Sequence, residues 1–126
     1  MLKIVIPINP VTKKNHGQII NVKGHSIMLP SKPYQEYERK CKQYIPTLRQ
    51  PPIDYPINLK VLYYMETRRK CDITNLLQAT CDILVKYKIL SDDNYSIVSS
   101  VDGTQVFYDK ENPRCEIYIE QKKSNE

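Results

Sequence analysis

The strongest constraint on the fold is the strand-like segment at residues 57–65. Successive residues on one side of it are all apolar or aromatic: Ile57, Leu59, Val61, Tyr63 and Met65. The other side also carries Leu62 and Tyr64. A strand that is apolar enough on both faces belongs at the centre of a sheet. Four prolines lie between residues 46 and 56, so the preceding stretch is predicted to be a surface connection, because proline cannot continue a helix.

A helix is predicted soon after this strand. From Asn75 to about Lys88, apolar residues recur at helical spacing and form a wide stripe. Either Thr74 or Asn75 is expected to cap the helix. The opposite, polar strip is formed by Asn75, Gln78, Asp82 and Lys86.

The amino-terminal part predicts a strand, a hairpin and a second helix. Ile4, Ile6 and Ile8 alternate with other residues, and Pro7 favours an edge position or a strand end. Residues 9–30 are predicted to form a basic loop followed by a small hairpin. Ser31 is a suitable N-cap for a helix that continues to about residue 45.

The carboxyl-terminal part predicts further strands. Asp102-Gly103 interrupts two apolar groups between residues 97 and 108, which indicates a long strand with a bulge or a hairpin. Residues 115–119 are predicted to form the last strand. The predicted fold is therefore α+β, with a mixed sheet of about four strands packed against two main helices. One domain is expected over residues 1–126, with 121–126 as a frayed tail.

The charge and cysteine content indicate the class of binding partner and the cellular compartment. Residues 1–50 contain nine Lys or Arg and two Glu, within a net charge of +5 for the chain. Such a basic half is typical of nucleic-acid binders, although many unrelated basic proteins share it. The four cysteines form no CxxC pair and are predicted to be free thiols. We expect a cytoplasmic protein without membrane association, because no signal peptide or long apolar stretch is present.

A basic and acidic strip links the central strand to the helix that follows. Arg68, Arg69 and Lys70 precede Asp72, and Asp92 and Asp93 follow the helix. Because the helix returns beside the sheet, Asp72 and Asp93 could converge. Carboxylates that hold Mg²⁺ would suit phosphodiester hydrolysis. Taken singly, however, such aspartates are more often caps or turn residues, and that alternative stays open.

These residues resemble the RusA family of Holliday junction resolvases. The family signature is D-x-D-N-x-x-K, a helix and a downstream D-D. It is matched here by Asp72-Ile-Thr-Asn-Leu-Leu-Gln78 and by Asp92-Asp93. Residues 10–15, 30–37 and 108–114 also look like family segments, so the resemblance covers nearly the whole chain.

The resemblance implies an Mg²⁺-dependent endonuclease, with Mn²⁺ as a possible substitute, that nicks four-way or branched DNA symmetrically. It also implies a homodimer, often encoded by a prophage, that acts in recombination and repair without a small-molecule cofactor. Asp72 and Asp93 fall on the catalytic aspartates, and Asp92 is a third candidate metal ligand. The expected DNA contacts are Lys13, Lys14, Asn15, Arg68, Arg69, Lys70 and Asn75.

Two positions depart from the signature. Thr74 replaces its second aspartate and Gln78 replaces its lysine, so this is a D-x-T-N variant. A third oxygen ligand could then come from Asp92, from Asp102 or from water held by Thr74. The missing positive charge could be supplied by Arg69, Lys70 or Lys14. The alternative is a catalytically weakened or inactive protein that binds branched DNA, because a missing carboxylate weakens cation binding.

Overall fold

The architecture is taken from a computed structural model that describes residues 1–13, 18–29 and 31–122, without the side chains of residues 18–20 and 28. Its seven strands are β1 Leu2–Ile6, β2 Gln18–Val22, β3 His25–Leu29, β4 Ile57–Met65, β5 Val98–Ser100, β6 Gln105–Tyr108 and β7 Arg114–Gln121. Its helices are α1 Lys32–Cys41 and α2 Ile73–Lys86, and a 3-10 turn at Lys42–Tyr44 follows α1.

Strand β4 is central, as its two apolar faces predict. It pairs antiparallel with β7 and parallel with β5 and β6, while β1 pairs with the far side of β7. The edge position expected for the first strand is therefore confirmed. Strands β2 and β3 form the predicted hairpin as a separate two-stranded sheet. The α+β prediction is confirmed, with five strands in the main sheet.

Strands β5 and β6 are two segments of one sheet edge. Ile57 pairs with Val98 near the start of β4, and Met65 pairs with Tyr108 at its end. Of the two alternatives predicted at Asp102-Gly103, the interrupted long strand is correct, because both segments run in the same direction. Gly103 has φ +87°, a backbone conformation that residues with a side chain rarely adopt, so the break favours glycine.

The helices cover the inner face of the sheet, where the alternating residues of β4 meet the apolar stripe of α2. The side chains of Ile57, Leu59 and Val61 are fully buried there. A buried hydrogen bond of 2.7 Å also joins the Tyr63 hydroxyl to Thr80 Oγ1 on α2. Apolar burial and this bond together fix the polar strip of α2 relative to the end of β4.

Two local predictions need correction. Helix α2 begins at Ile73, so Asp72 occupies the N-cap position rather than Thr74 or Asn75. The reason is that Asp72 has an extended backbone and its carbonyl oxygen accepts from the Leu76 N–H at 3.2 Å. The tail also begins later than predicted, because Gln121 pairs with Ile57 and the Lys122 N–H donates to the Pro56 carbonyl. Residues 123–126 lie outside the described part.

No helix among the described residues is both long and apolar enough to cross a membrane.

Candidate active site

The first part of the site lies where β4 gives way to α2. An open cleft here is lined by Asn9, Arg69, Lys70, Asp72 and Asn75, among others. The Glu66 N–H donates to Asn9 Oδ1 at 2.9 Å, which joins the loop after β1 to the end of β4. The cleft therefore combines cationic side chains with one exposed aspartate.

The Asp72 carboxylate is not consumed by capping its helix. It makes no side-chain cap hydrogen bond, although Asp72 occupies the N-cap position. Instead, Asp72 Oδ2 accepts from Asn75 Nδ2 at 3.3 Å. A carboxylate offers about four acceptor sites, so Asp72 keeps capacity for a cation.

The second part of the site is centred on Gln78. Its Nε2 donates to Asp82 Oδ1 at 3.0 Å and to Asp93 Oδ2 at 3.4 Å. The other carboxylate oxygen of Asp82 forms an ion pair with Lys13 Nζ at 2.7 Å. Gln78 thus connects the loop after α2, which carries Asp93, to the amino-terminal loop, which carries Lys13.

One face of α2 brings these two parts together. Asn75 and Gln78 are three residues apart, so their side chains are neighbours, with Cβ atoms about 5–6 Å apart. Asp72 contacts the first and Asp93 the second. The two aspartates nevertheless line separate clefts, since Asp93 shares the second one with Lys13, Asp82 and others.

Asp92 has both carboxylate oxygens engaged in its own turn. Oδ1 accepts from the Asp93 N–H at 2.7 Å, and Oδ2 accepts from Asn94 Nδ2 at 3.2 Å. Both hydrogen bonds hold the pKa of Asp92 below its usual value, and the bond from the Asp93 backbone N–H has the larger effect. Asp92 therefore shapes the turn that presents Asp93 and carries a negative charge beside it.

Other predicted residues are spread around this face. Lys14 and Asn15 lie outside the described residues. Arg68 has its guanidinium carbon 4.1 Å from the centre of the Tyr108 ring. Thr74 is exposed in the first turn of α2, and it shares a face with Gln78 because they are four residues apart. The two positions that depart from the signature are thus neighbours.

Asp102 lies away from this face. Its N–H donates to Asn58 Oδ1 at 2.8 Å, next to the start of β4. Asp72 follows the other end of that nine-residue strand, a strand length of roughly 30 Å. The prediction that Asp102 could complete the acidic group is therefore wrong, because β4 separates them.

Sequence reasoning missed the role of Asp82. Helical spacing puts it only on the polar strip of α2, but its bonds to Gln78 and Lys13 make it part of the site. The only signal was its position four residues after Gln78. Burial, followed by the charges of Asp93 and Asp82, raises the pKa of the Cys81 thiol to about 12, so this thiol stays protonated beside the carboxylates.

The donor set fits one manner of binding Mg²⁺. Among the described residues, no group of three or more His, Cys, Asp or Glu is arranged to hold a metal ion. Mg²⁺ is usually bound through only one or two carboxylates, with water and substrate phosphate as the remaining ligands. The exposed carboxylate of Asp72 and the half-buried one of Asp93 suit that manner of binding, whereas a closed protein cage does not fit.

Comparison with known proteins identifies the family of the chain. The family model for endodeoxyribonuclease RusA matches residues 7–120, which is nearly the whole chain. No curated protein matches the chain. Since the family match spans both strands and helices that form the site, the chain belongs to the RusA endodeoxyribonuclease family.

Proposed function

We propose that this protein is an Mg²⁺-dependent endonuclease that nicks symmetrically related strands of four-way DNA junctions in recombination and repair. The observation that carries the proposal is the placement of Asp72 and Asp93 along one face of α2, through Asn75 and Gln78. The family membership supplies the activity class, and the basic residues beside Asp72 supply a surface suited to a DNA backbone.

Asp72 and Asp93 would hold the metal, and Asp92 is a third candidate ligand through its remaining acceptor capacity. Mg²⁺, or Mn²⁺ in its place, would lower the pKa of an attacking water and neutralise charge on the phosphoryl oxygens. Asn75 and Gln78 orient the two catalytic carboxylates by donating to one oxygen of each. This leaves the other oxygen of each carboxylate open to a ligand.

Positive charge at the scissile phosphate would come from Arg69 and Lys70. Both line the cleft that contains Asp72, so they are better placed than Lys13, which is paired with Asp82. Lys14 and Asn15 remain predicted DNA contacts. Each neutralised phosphate should contribute about −0.9 to the slope of log affinity against log salt concentration.

The protein is expected to act as a homodimer, since a two-fold assembly can present two equivalent sites to a pseudo-symmetric junction. A prophage origin and a cytoplasmic setting remain predictions from the resemblance and from the sequence.

The second candidate function is branched-DNA binding without efficient cleavage. It is favoured by the adjacency of Thr74 and Gln78 on α2, because two departures from the signature then fall in one patch. In this case Gln78 would preserve the position of Asp93 without providing the charge of a lysine.

The deciding experiment is nicking of a synthetic four-way junction by the wild type and by Asp72→Asn in parallel. We expect Mg²⁺-dependent symmetric nicking by the wild type, and loss of nicking with retained junction binding in the variant. Asp102→Asn is the matched control, because it removes an aspartate charge at the other end of β4. Binding without nicking by the wild type would favour the second candidate, whereas equal cleavage by wild type and Asp72→Asn would refute the site assignment.

A further inference from the structure

A cation and two aromatic rings are stacked across three strands on the outer face of the sheet. Tyr64 on β4 is the register partner of Arg114 on β7 and of Phe107 on β6. The Arg114 guanidinium carbon lies 3.7 Å from the Tyr64 ring centre. The Tyr64 and Phe107 ring centres are 5.1 Å apart with 22° between the planes. We call Arg114, Tyr64 and Phe107 the aromatic stack.

The stack is fixed at its Arg114 end. Arg114 Nε donates to Glu116 Oε2 at 2.7 Å, and Nη1 donates to Asp109 Oδ2 at 3.1 Å. These two carboxylates hold the guanidinium plane against the Tyr64 ring. The rings that follow are therefore supported by a cation with little freedom to rotate, which makes the stack preorganised.

The Phe107 end is open. Phe107 lies on β6, which forms the sheet edge beside β4, and 39% of its surface is exposed. Its neighbours Val106 and Tyr108 are about equally exposed. A ring that is stacked on one side and exposed at a strand edge has an unused surface for a further planar group.

Tyr108, the residue after Phe107, links this sheet edge to the basic strip of the candidate site, but from the opposite face of the sheet, because successive side chains of a strand alternate between faces. Tyr108 pairs with Met65 at the end of β4, and the Arg68 guanidinium covers the Tyr108 ring. Arg69 and Lys70 follow in the chain and line the cleft of Asp72. A nucleic-acid strand that passed around this sheet edge would meet the basic strip on one face and the Phe107 ring on the other.

We propose that Phe107, backed by Tyr64 and Arg114, binds an unstacked nucleobase at the branch point of the DNA substrate by ring stacking. The inference rests on the proposed function, since it concerns how the same substrate is recognised. Aromatic rings beside a cationic backbone track are the usual means of holding unpaired bases, and every base offers a planar face. Paired bases inside a duplex are not accessible in this way, so the contact would select for branched over linear DNA.

A second copy of the chain is the competing occupant of this edge. A two-fold contact through the four-residue strand β6 would bring two basic strips, each containing Arg68, Arg69 and Lys70, close to one another. Like charges at such a contact repel, whereas a phosphate backbone attracts them. Charge complementarity thus favours nucleic acid over a second copy of the chain as the occupant of this edge.

The test is binding without Mg²⁺ of a four-way junction that carries 2-aminopurine at the branch point. We expect the wild type to quench its fluorescence. Phe107→Leu should abolish the quench and weaken junction binding about 5- to 100-fold, with duplex binding unchanged. Phe107→Trp should retain both properties because it keeps a ring. Val106→Thr is the matched control on the same strand, and it should behave like the wild type.

Several results would overturn this inference. One is the absence of a fluorescence change with the wild type, and another is an unchanged affinity and quench with Phe107→Leu. A reduced molecular mass of Phe107→Leu in sedimentation would assign the edge to a second copy instead. The proposed function is judged separately, by Mg²⁺-dependent nicking of the wild type. Nicking with no role for Phe107 would refute only the stacking contact, and stacking without nicking would refute only the nuclease assignment.

Discussion

The two aspartates proposed for catalysis are held in contrasting ways. Asp72 is exposed at the start of α2 and contacts Asn75, which is three residues later on the same helix. Asp93 is half-buried and contacts Gln78, which is fifteen residues earlier and belongs to a network with Asp82 and Lys13. The first arrangement is local, whereas the second depends on three separate segments of the chain.

This difference indicates which aspartate keeps its position when neighbouring residues change and which one does not. The position of Asp72 follows from the helix start, so it persists in any sequence that keeps this strand and helix. The position of Asp93 depends on the side chain at residue 78, which is one of the two altered positions. We infer that changes at the Asp93 end tune activity, while changes at the Asp72 end remove it.

The largest effect is expected for Asp72→Asn. Neutralising the exposed carboxylate removes the proposed metal ligand, so junction nicking should fall about 100-fold or more. Binding should remain, because Arg69 and Lys70 are unchanged. Nicking assays at saturating protein, together with a gel shift, measure both quantities. A variant that also loses junction binding would mean that Asp72 supports the DNA-binding surface rather than catalysis.

A smaller effect is expected for Gln78→Ala. Loss of the amide leaves Asp93 and Asp82 without a shared donor, so nicking should fall about tenfold and require more Mg²⁺. Gln78→Lys is the matched control, because an ammonium can donate to the same two carboxylates. It should keep the wild-type rate or exceed it. Titration of Mg²⁺ against the nicking rate makes the comparison, and identical curves for Gln78→Ala and the wild type would show that Gln78 does not position Asp93.

A still smaller effect is expected for Lys13→Met. The ion pair with Asp82 is partly exposed, with 40% and 26% of the two side chains accessible. After allowance for solvent screening, its loss should cost about 0.5 kcal/mol or less of stability and reduce nicking only a few-fold. Thermal unfolding and nicking rates test this. Lys32→Met, on the exposed first turn of α1, serves as the control and should change neither.

The smallest effect is the pH response of the Asp92 turn. The pKa of Asp92 is lowered in the folded protein, so its contribution to the turn is complete above the unfolded pKa. That contribution is lost as pH falls through the lower folded value. The Asp93 amide proton, which donates to Asp92, should therefore shift in NMR spectra with a midpoint below the usual aspartate range. In Asp92→Asn this titration should disappear, and a midpoint at the usual value would contradict the hydrogen-bond assignment.

Much of the fold was predictable because it depends on neighbours in the chain. Alternation along residues 57–65 identified the central strand, and helical spacing identified α2. Helical spacing places the cap at Thr74 or Asn75, two or three residues too late, while for Asp72 it leaves both a ligand and a cap or turn role open. A side chain of this type suits either role, and only the backbone geometry at Asp72 distinguishes them.

The sequence by itself determined the order of the chemical groups: a basic strip, one aspartate, a helix with a polar side, and then a pair of aspartates. Tertiary structure alone decided which of them meet. It excluded Asp102 by placing it at the far end of β4, added Asp82, and joined Gln78 to Asp93. It also brought Tyr64 of β4 against Phe107 of β6 and Arg114 of β7, which lie much later in the chain. The physical reason is that periodicity fixes which way a side chain points within its own element, whereas contacts between elements depend on strand register and on the path of the intervening loops.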